Sequence, residues 1–233
     1  MKPTPIHLGR FHVEIVQKRI KHIYFRVYPL KETIVVSAPL HLDPETLNRA
    51  ILEKKDWIIR QLDKRPVRKS LPEKKYTTGE VYLFKGKTYP LMVIEQDQGI
   101  GAFISGDDHI RLVVNPGSGV LEREHILEAW YRKEMKKSII PILEKWEPLI
   151  GVKILQFGVR KMRTRWGSCN INAARIWLSL KLIHLPPEFL EYVIVHEMVH
   201  LLERGHNARF KGFMDRFIPD WRNLKKELGK FSV

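Results

Sequence analysis

Apolar and polar residues alternate along the first forty positions. Phe11, Val13 and Ile15 fall on one face, Ile23, Phe25 and Val27 repeat the pattern, and Ile34-Val35-Val36 follow the breaker at Pro29, as in half-buried strands. Asp43 offers an N-cap with Pro44 in the first helical position, and Leu47, Ala50, Ile51, Trp57, Ile58 and Leu62 then recur at helical spacing. A sheet crossed by one helix is predicted. The basic stretch from Lys64 to Lys75 has no apolar period and reads as a connector. Val81 to Phe84, Tyr89 to Glu95, Gly101 to Ile104 and Ile110 to Val114 are short apolar runs separated by Gly, Asp and Asn, the punctuation of a meander. From Val120 the period turns helical through Ile126, Leu127, Trp130, Tyr131, Ile139, Leu143 and Trp146, with a bend expected at Pro141. A Gly-containing segment around Trp166 to Cys169, a strand from Arg175 to Leu180 and further helices complete the chain. No internal repeat or low-complexity tract is read. The expected class is α+β: a β-rich domain with one helix over residues 1–119, then an α-rich domain over 120–233.

The chain has 233 residues, 44% of them apolar, and 41 Lys plus Arg against 26 Asp plus Glu give a net charge of +15. That composition supports a packed core and excludes wholesale disorder. A single cysteine, Cys169, excludes a disulfide scaffold. The opening has no apolar run of signal-peptide length, and no stretch approaches the roughly 18 apolar residues of a membrane span, so a cytoplasmic protein with no membrane partner is expected. The charge favours polyanionic partners. Between Glu147 and Glu188 there is no acidic residue, whereas Lys153, Arg160, Lys161, Arg163, Arg165, Arg175 and Lys181 are basic, so DNA held through this surface is one partner reading and scattered solvated charge the other.

Pro186-Pro187 marks a helix start, and His196-Glu197-Met198-Val199-His200 lies in the helix that follows. Residues i and i+4 share a helical face, so both imidazoles can address one metal ion. This is the H-E-x-x-H pattern of zinc hydrolases, in which the glutamate serves as general base. An accidental match arises in roughly 3 of 100 chains of this composition, and in about 1 of 700 once His206 is required as well. Zinc needs a third ligand and, for catalysis, a fourth position left for water. His206 is the strongest candidate, with Gly205 expected to turn the chain back in the left-handed conformation. Glu203, Asp215 and Asp220 are the alternative third ligands. Metzincin proteases share the H-E-x-x-H-x(5)-H interval, but their midway glycine is replaced here by Glu203. The competing reading is an amphipathic helix whose polar face holds two histidines.

Among the secondary residues, Arg163, Arg165 and Trp166 are candidates to line the substrate cleft or hold phosphates, with a core role as the alternative for Trp166. Ile176 to Ser179, with Trp177, is a candidate edge strand for an extended peptide, or an ordinary internal strand. Cys169 is either a nucleophile or fourth zinc ligand, or a small buried apolar side chain. Tyr192, one turn before His196, either faces the metal or packs beside it.

Arg165-Trp166-Gly167-Ser168-Cys169, Ile176-Trp177-Leu178-Ser179, Tyr192 to His200, His206-Asn207-Ala208-Arg209-Phe210 and Pro219-Asp220-Trp221 together resemble the YgjP-like metallopeptidases, which are related to the SprT-like and WLM zinc proteases. Arg26-Val27-Tyr28-Pro29, Val36-Ser37-Ala38-Pro39 and Lys55-Asp56-Trp57-Ile58 extend the likeness to nearly the whole chain. Asn207 departs from the serine expected after the third histidine. The resemblance implies a zincin-like domain over 120–233, with His196, His200 and His206 on Zn2+ and Glu197 as catalytic acid/base. It implies cleavage of a peptide bond in a protein or peptide by zinc-bound water that Glu197 activates. The related families act on proteins bound or crosslinked to DNA. Two other readings stand beside this one: a basic nucleic-acid-binding module with a structural zinc, and a metal-dependent amidohydrolase of small substrates. The sequence does not give the oligomeric state.

Overall fold

A computed structural model describes residues 6–8, 11–28, 33–63, 74–106 and 108–231. Pro29 and most of the expected connector, residues 64–73, lie outside these. The chain divides into two compact units, Met1–Glu73 and Lys74–Val233.

In the first unit, β1 (Ile6–Leu8), β2 (Phe11–Lys18), β3 (Tyr24–Tyr28) and β4 (Thr33–Pro39) form a sheet of order β1-β2-β4-β3. The inner strands β2 and β4 are parallel and the outer pairs antiparallel. Asp43 caps the next helix as expected, its carboxylate accepting from the Thr46 N–H at 2.8 Å. The single helix expected there is two, α1 (Pro44–Glu53) and α2 (Lys55–Asp63), because Lys54 leaves helical geometry at φ −90° and ψ 0°. Leu47, Ile51 and Ile58 still reach one core with Val13, Ile34, Val36 and Ala38.

The second unit opens with β5 (Val81–Phe84), β6 (Lys87–Glu95), β7 (Gly101–Ser105) and β8 (His109–Val114), followed by α3 (Val120–Ile150). The strands are those the sequence predicts, but they are not a meander: the order is β5-β6-β8-β7, with β6 and β8 parallel. Ile110, Leu112, Val113 and Val114 of β8 are buried, whereas Phe103 of β7 is exposed, so β8 takes the inner position. The two four-stranded sheets therefore share one strand order, an architectural repeat that the residues do not display. Helix α3 runs unbroken through Pro141 and Pro148 and buries Leu127, Trp130, Tyr131, Met135, Ile139, Leu143, Trp146 and Ile150.

This packing moves the domain boundary. The break expected between residues 119 and 120 falls instead at Glu73–Lys74, since β5 to β8 and α3 share a core. Phe84 and Trp130 lie 4.8 Å apart between ring centroids, and the Tyr131 hydroxyl donates to the Leu83 carbonyl at 3.1 Å. Separating them would expose both apolar faces.

Beyond α3 come β9 (Gln156–Arg160), β10 (Gly167–Asn170) and β11 (Arg175–Ser179), then a 3-10 turn, Leu180–His184, and helices α4 (Pro187–Val199), α5 (Ala208–Phe217) and α6 (Trp221–Leu228). Their sheet has the order β10-β11-β9. β11 is thus internal, and β10 and β9 are the two edge strands, β10 being the one that borders His196 and Glu197. Helix α4 is buried nearly all round, by Phe189, Leu190, Tyr192, Val193, Ile194, Val195, Met198 and Val199. Glu197, buried among these apolar side chains, marks a site.

Candidate metal centre

His196 lies in the last turn of α4 and His200 caps it. The chain then turns through bonds from Leu201 N–H to the Met198 carbonyl at 3.0 Å and from Leu202 N–H to the Val199 carbonyl at 2.9 Å. Gly205 is not in the left-handed region, where six other glycines are found, so the expected turn is made by tightened backbone bonds instead. These deliver His206 to the helix face: one nitrogen from each of His196, His200 and His206 lies within 4.8 Å of the others. His206 Nε2 and His196 Nε2 are 3.1 Å apart. Nitrogens bound tetrahedrally to one ion at about 2.0–2.1 Å would stand roughly 3.3 Å apart, so the three imidazoles are placed to hold one metal ion.

The surroundings of His196 and His200 keep those two rings neutral and aimed. Burial, then His200 and His206, pushes His196 down to about 3, and burial also lowers His200, leaving lone pairs free for a cation. His200 Nδ1 lies 3.2 Å from the Glu203 carbonyl, which directs Nε2 inward. His196 Nδ1 is buried without a hydrogen-bond partner among the described residues. Beneath all three rings is Phe210, with centroids 5.0, 4.8 and 4.7 Å from His196, His200 and His206. Asn207 caps α5 by accepting from the Phe210 N–H at 3.0 Å, which fixes Phe210 and the adjacent His206 together. Asparagine performs this cap as serine does.

Glu197 is 6% exposed. Burial pushes its carboxyl up to about 8, against the opposing charge of Arg165, and a cation among the histidines would draw it back down. Two hollows meet at this residue, both bordered by Gly167, His196 and Glu197. The larger, about 650 Å³, runs along β10 and the loop after it. The smaller, about 250 Å³, lies between Trp166, Tyr192 and the end of α6.

The profile of the YgjP-like metallopeptidase domain matches residues 21–231. The chain belongs to the YgjP-like metallopeptidase family. It is accordingly a metal-dependent peptidase of α+β fold. Among solved structures, the metallopeptidase zymogen abylysin of Pyrococcus abyssi is similar, at 17% identity over 39% of this chain and 90% of that one, with a TM-score of 0.36. No match was found among curated proteins.

The other expected site residues separate cleanly in this YgjP-like chain. Arg165 borders the larger hollow and Trp166 the smaller. Arg163 borders neither. Trp177 is also away from the cleft, lying across Gly158 with the Arg160 guanidinium 3.4 Å above its ring. β11 is paired on both sides, by β10 and by β9, so Ile176–Ser179 is the internal strand of the two readings and offers no free edge to a peptide. Cys169 borders the larger hollow, but its sulfur is not among the clustered ligand atoms. Burial, then the Glu197 charge, pushes its thiol up to about 11, which disfavours the thiolate. The alternative third ligands lie outside the cluster of ligand atoms: Glu203 accepts from the Gly205 N–H at 3.4 Å, Asp215 from Trp221 and Arg222, and Asp220 from Asn223. Tyr192 is buried, with its ring 6.0 Å from that of His196, and borders the smaller hollow. Sequence reasoning missed Gly167 as a contact of Glu197, Phe210 as the floor of the site, and Arg204 and Lys225 as cleft residues. Only Phe210 carried a signal, four positions after His206 and opening the apolar stripe of α5. No helix among the described residues is long and apolar enough to cross a membrane.

Proposed function

We propose that the metal is zinc, held by His196, His200 and His206, and that Glu197 is the general base and acid of peptide-bond hydrolysis. The observation that carries this reading is the gathering of three imidazole nitrogens within 4.8 Å beside a buried carboxylate where two hollows meet. Three imidazoles with neither thiolate nor carboxylate are a donor set suited to zinc and leave a position for chemistry. A bound zinc ion supplies Lewis acidity to the scissile carbonyl and makes water acidic near neutral pH. Glu197 takes the proton of the attacking water and returns it to the leaving amine, a relay that its fixed place on α4 permits without rearrangement. The free edge of β10 gives an extended peptide backbone a row of hydrogen-bonding groups beside the histidines.

A structural zinc would require a fourth protein ligand, and the cluster of described residues holds three. A small-amide hydrolase calls for a closed pocket, whereas here the larger hollow follows a strand edge. A DNA-associated protein substrate in the cytoplasm is supported by the charge of +15 alone. A salt series with single- and double-stranded DNA tests that partner, and salt-independent affinity would reject phosphate contacts.

Elemental analysis together with cleavage of unfolded casein tests the reading. The unmodified protein should carry about one zinc per chain, His206→Ala should lose it, and Glu197→Gln should keep it while turnover falls by about 10²–10⁴-fold. Full turnover in Glu197→Gln would overturn the role given to this carboxylate. Zinc retained in His206→Ala would move the third ligand elsewhere.

A further inference from the structure

Charge is distributed unevenly around the reaction centre. The larger hollow is bordered by Arg165 and Arg204, with Asn170, Asn172 and Ser168 as its neutral polar groups. The smaller is walled by Trp166, Tyr192, Val193 and Leu228, with Lys225 as its cation. Glu197 is the single carboxylate bordering either one. Elsewhere in this unit cations are commonly paired: Arg123 with Glu95, Arg132 with Glu128, Lys145 with Glu191, and Lys161 with Glu124 and Glu128. None of the ion pairs among the described residues involves Arg165, Arg204 or Lys225, although Arg165 is felt by Glu197 and Lys225 by His196. Three like charges flanking one carboxylate hold a positive potential over the cleft, which a low-dielectric wall concentrates.

We infer that the peptide segment taken by this site is acidic. Carboxylates on one side of the scissile bond meet Arg165 and Arg204, and a carboxylate on an apolar stem enters the smaller hollow to meet Lys225. This deepens the peptidase reading above and rests on it. Backbone bonding to β10 is indifferent to sequence, so selectivity falls to the groups that border the hollows. The walls of the smaller hollow suit methylenes and its lysine suits a negative end, a combination offered by a glutamate side chain or by the terminal carboxylate of a peptide. Opposite charge on the peptide also speeds encounter, whereas a basic peptide is repelled from both sides.

The test is fluorescence anisotropy on the full-length, zinc-loaded Glu197→Gln protein, which holds peptide without cutting it. Three fluorescein-labelled peptides of equal length are compared: one with several glutamates and an amidated end, its glutamine isostere with an amidated end, and that isostere with a free terminal carboxylate. The glutamate peptide should bind about tenfold tighter than the amidated isostere at low salt and lose most of that margin at high salt. Lys225→Glu, and separately Arg165→Glu with Arg204→Glu, should each bring the ratio close to one while zinc content and Tm stay unchanged. Tight binding of the free-carboxylate isostere, abolished by Lys225→Glu, would support the inference with the chain terminus as the source of the carboxylate. Equal binding of the glutamate peptide and the amidated isostere would overturn it. So would a single-stranded oligonucleotide that binds more tightly than the glutamate peptide and is released by the same charge reversals, since the cleft would then serve a polynucleotide. Failure of the unmodified, zinc-loaded protein to cut a glutamate peptide that Glu197→Gln binds would count against the peptidase reading and leave the charge selectivity standing.

Discussion

Gly167 of β10 and Glu197 of α4 share a space that admits only one side chain. A Cβ placed on Gly167 would lie 2.6 Å from Glu197 Oε1, 2.9 Å from its Cγ and 2.9 Å from Val193 Cγ1. Glycine at this position is therefore what allows the carboxylate to stand between the strand and the helix. Gly167→Ala should displace the carboxylate and lower kcat by about 10²-fold, as small misplacements of a catalytic group do. Zinc stoichiometry should be unchanged and stability reduced by about 1–3 kcal/mol. Elemental analysis, denaturation and peptidase rates on the same preparation check all three, and an unaltered kcat would show that Glu197 tolerates the methyl group.

Phe210 is 1% exposed and underlies all three histidine rings. Phe210→Ala should cost about 3–5 kcal/mol through the cavity it leaves. Phe210→Leu, which keeps most of the volume, should remain folded but bind zinc about tenfold more weakly, because the imidazoles lose the surface that orients them. Competition with a chromophoric chelator measures the affinity, and native zinc affinity in Phe210→Leu would reduce the ring to a packing role.

Gly158 provides a contrast away from the cleft. A Cβ there would lie 2.1 and 2.5 Å from two Trp177 ring atoms, so Gly158→Ala must lift the indole and the Arg160 guanidinium stacked on it. A loss of about 1–3 kcal/mol is expected, read as a lower denaturation midpoint. Zinc content and KM should match those of the unmodified protein, and a changed KM would return Trp177 to the substrate site.

Glu191 on α4 joins that helix to α3, accepting from Lys145 Nζ and Trp146 Nε1, each at 2.7 Å. Burial raises its carboxyl, but the Lys145 and Trp146 hydrogen bonds together outweigh that and leave it below the usual carboxylate range. The depressed folded-state value means that its stabilisation is complete above the unfolded-state pKa and is lost as pH falls through the folded one. Urea midpoints of the unmodified protein and Glu191→Gln should therefore differ at neutral pH and converge between about pH 5 and pH 3. A difference independent of pH would assign the effect to packing.

What the sequence made legible was local. The alternation of β5 to β8, the stripe of α3 and the spacing of His196 and His200 repeat within a few residues, so each appears in a short window. Strand order does not: β6 pairs with β8 across the whole of β7, and nothing near either strand records that choice. The same limit misplaced the domain boundary, which depends on Phe84 meeting Trp130. Gly205 misled for the opposite reason, since its conformational freedom permits a left-handed turn without requiring one. Arg204, in the turn after α4, and Lys225 of α6 are 21 positions apart and border the two hollows that meet at Glu197, and their charge resembles any solvated lysine or arginine until the fold brings them together.

The shared strand order of the two sheets also sets a timetable. Each consists of two hairpins whose strands meet soon after they are made, joined by one parallel seam between β2 and β4 or β6 and β8. Short hairpins form fast, while a seam between strands distant in sequence waits for loop closure. Domains fold as units from the N-terminus during synthesis, and the three histidines follow both seams. In a chain made in this order both four-stranded sheets precede β10, α4 and the three histidines, so the candidate metal centre is the last part of the molecule that can assemble.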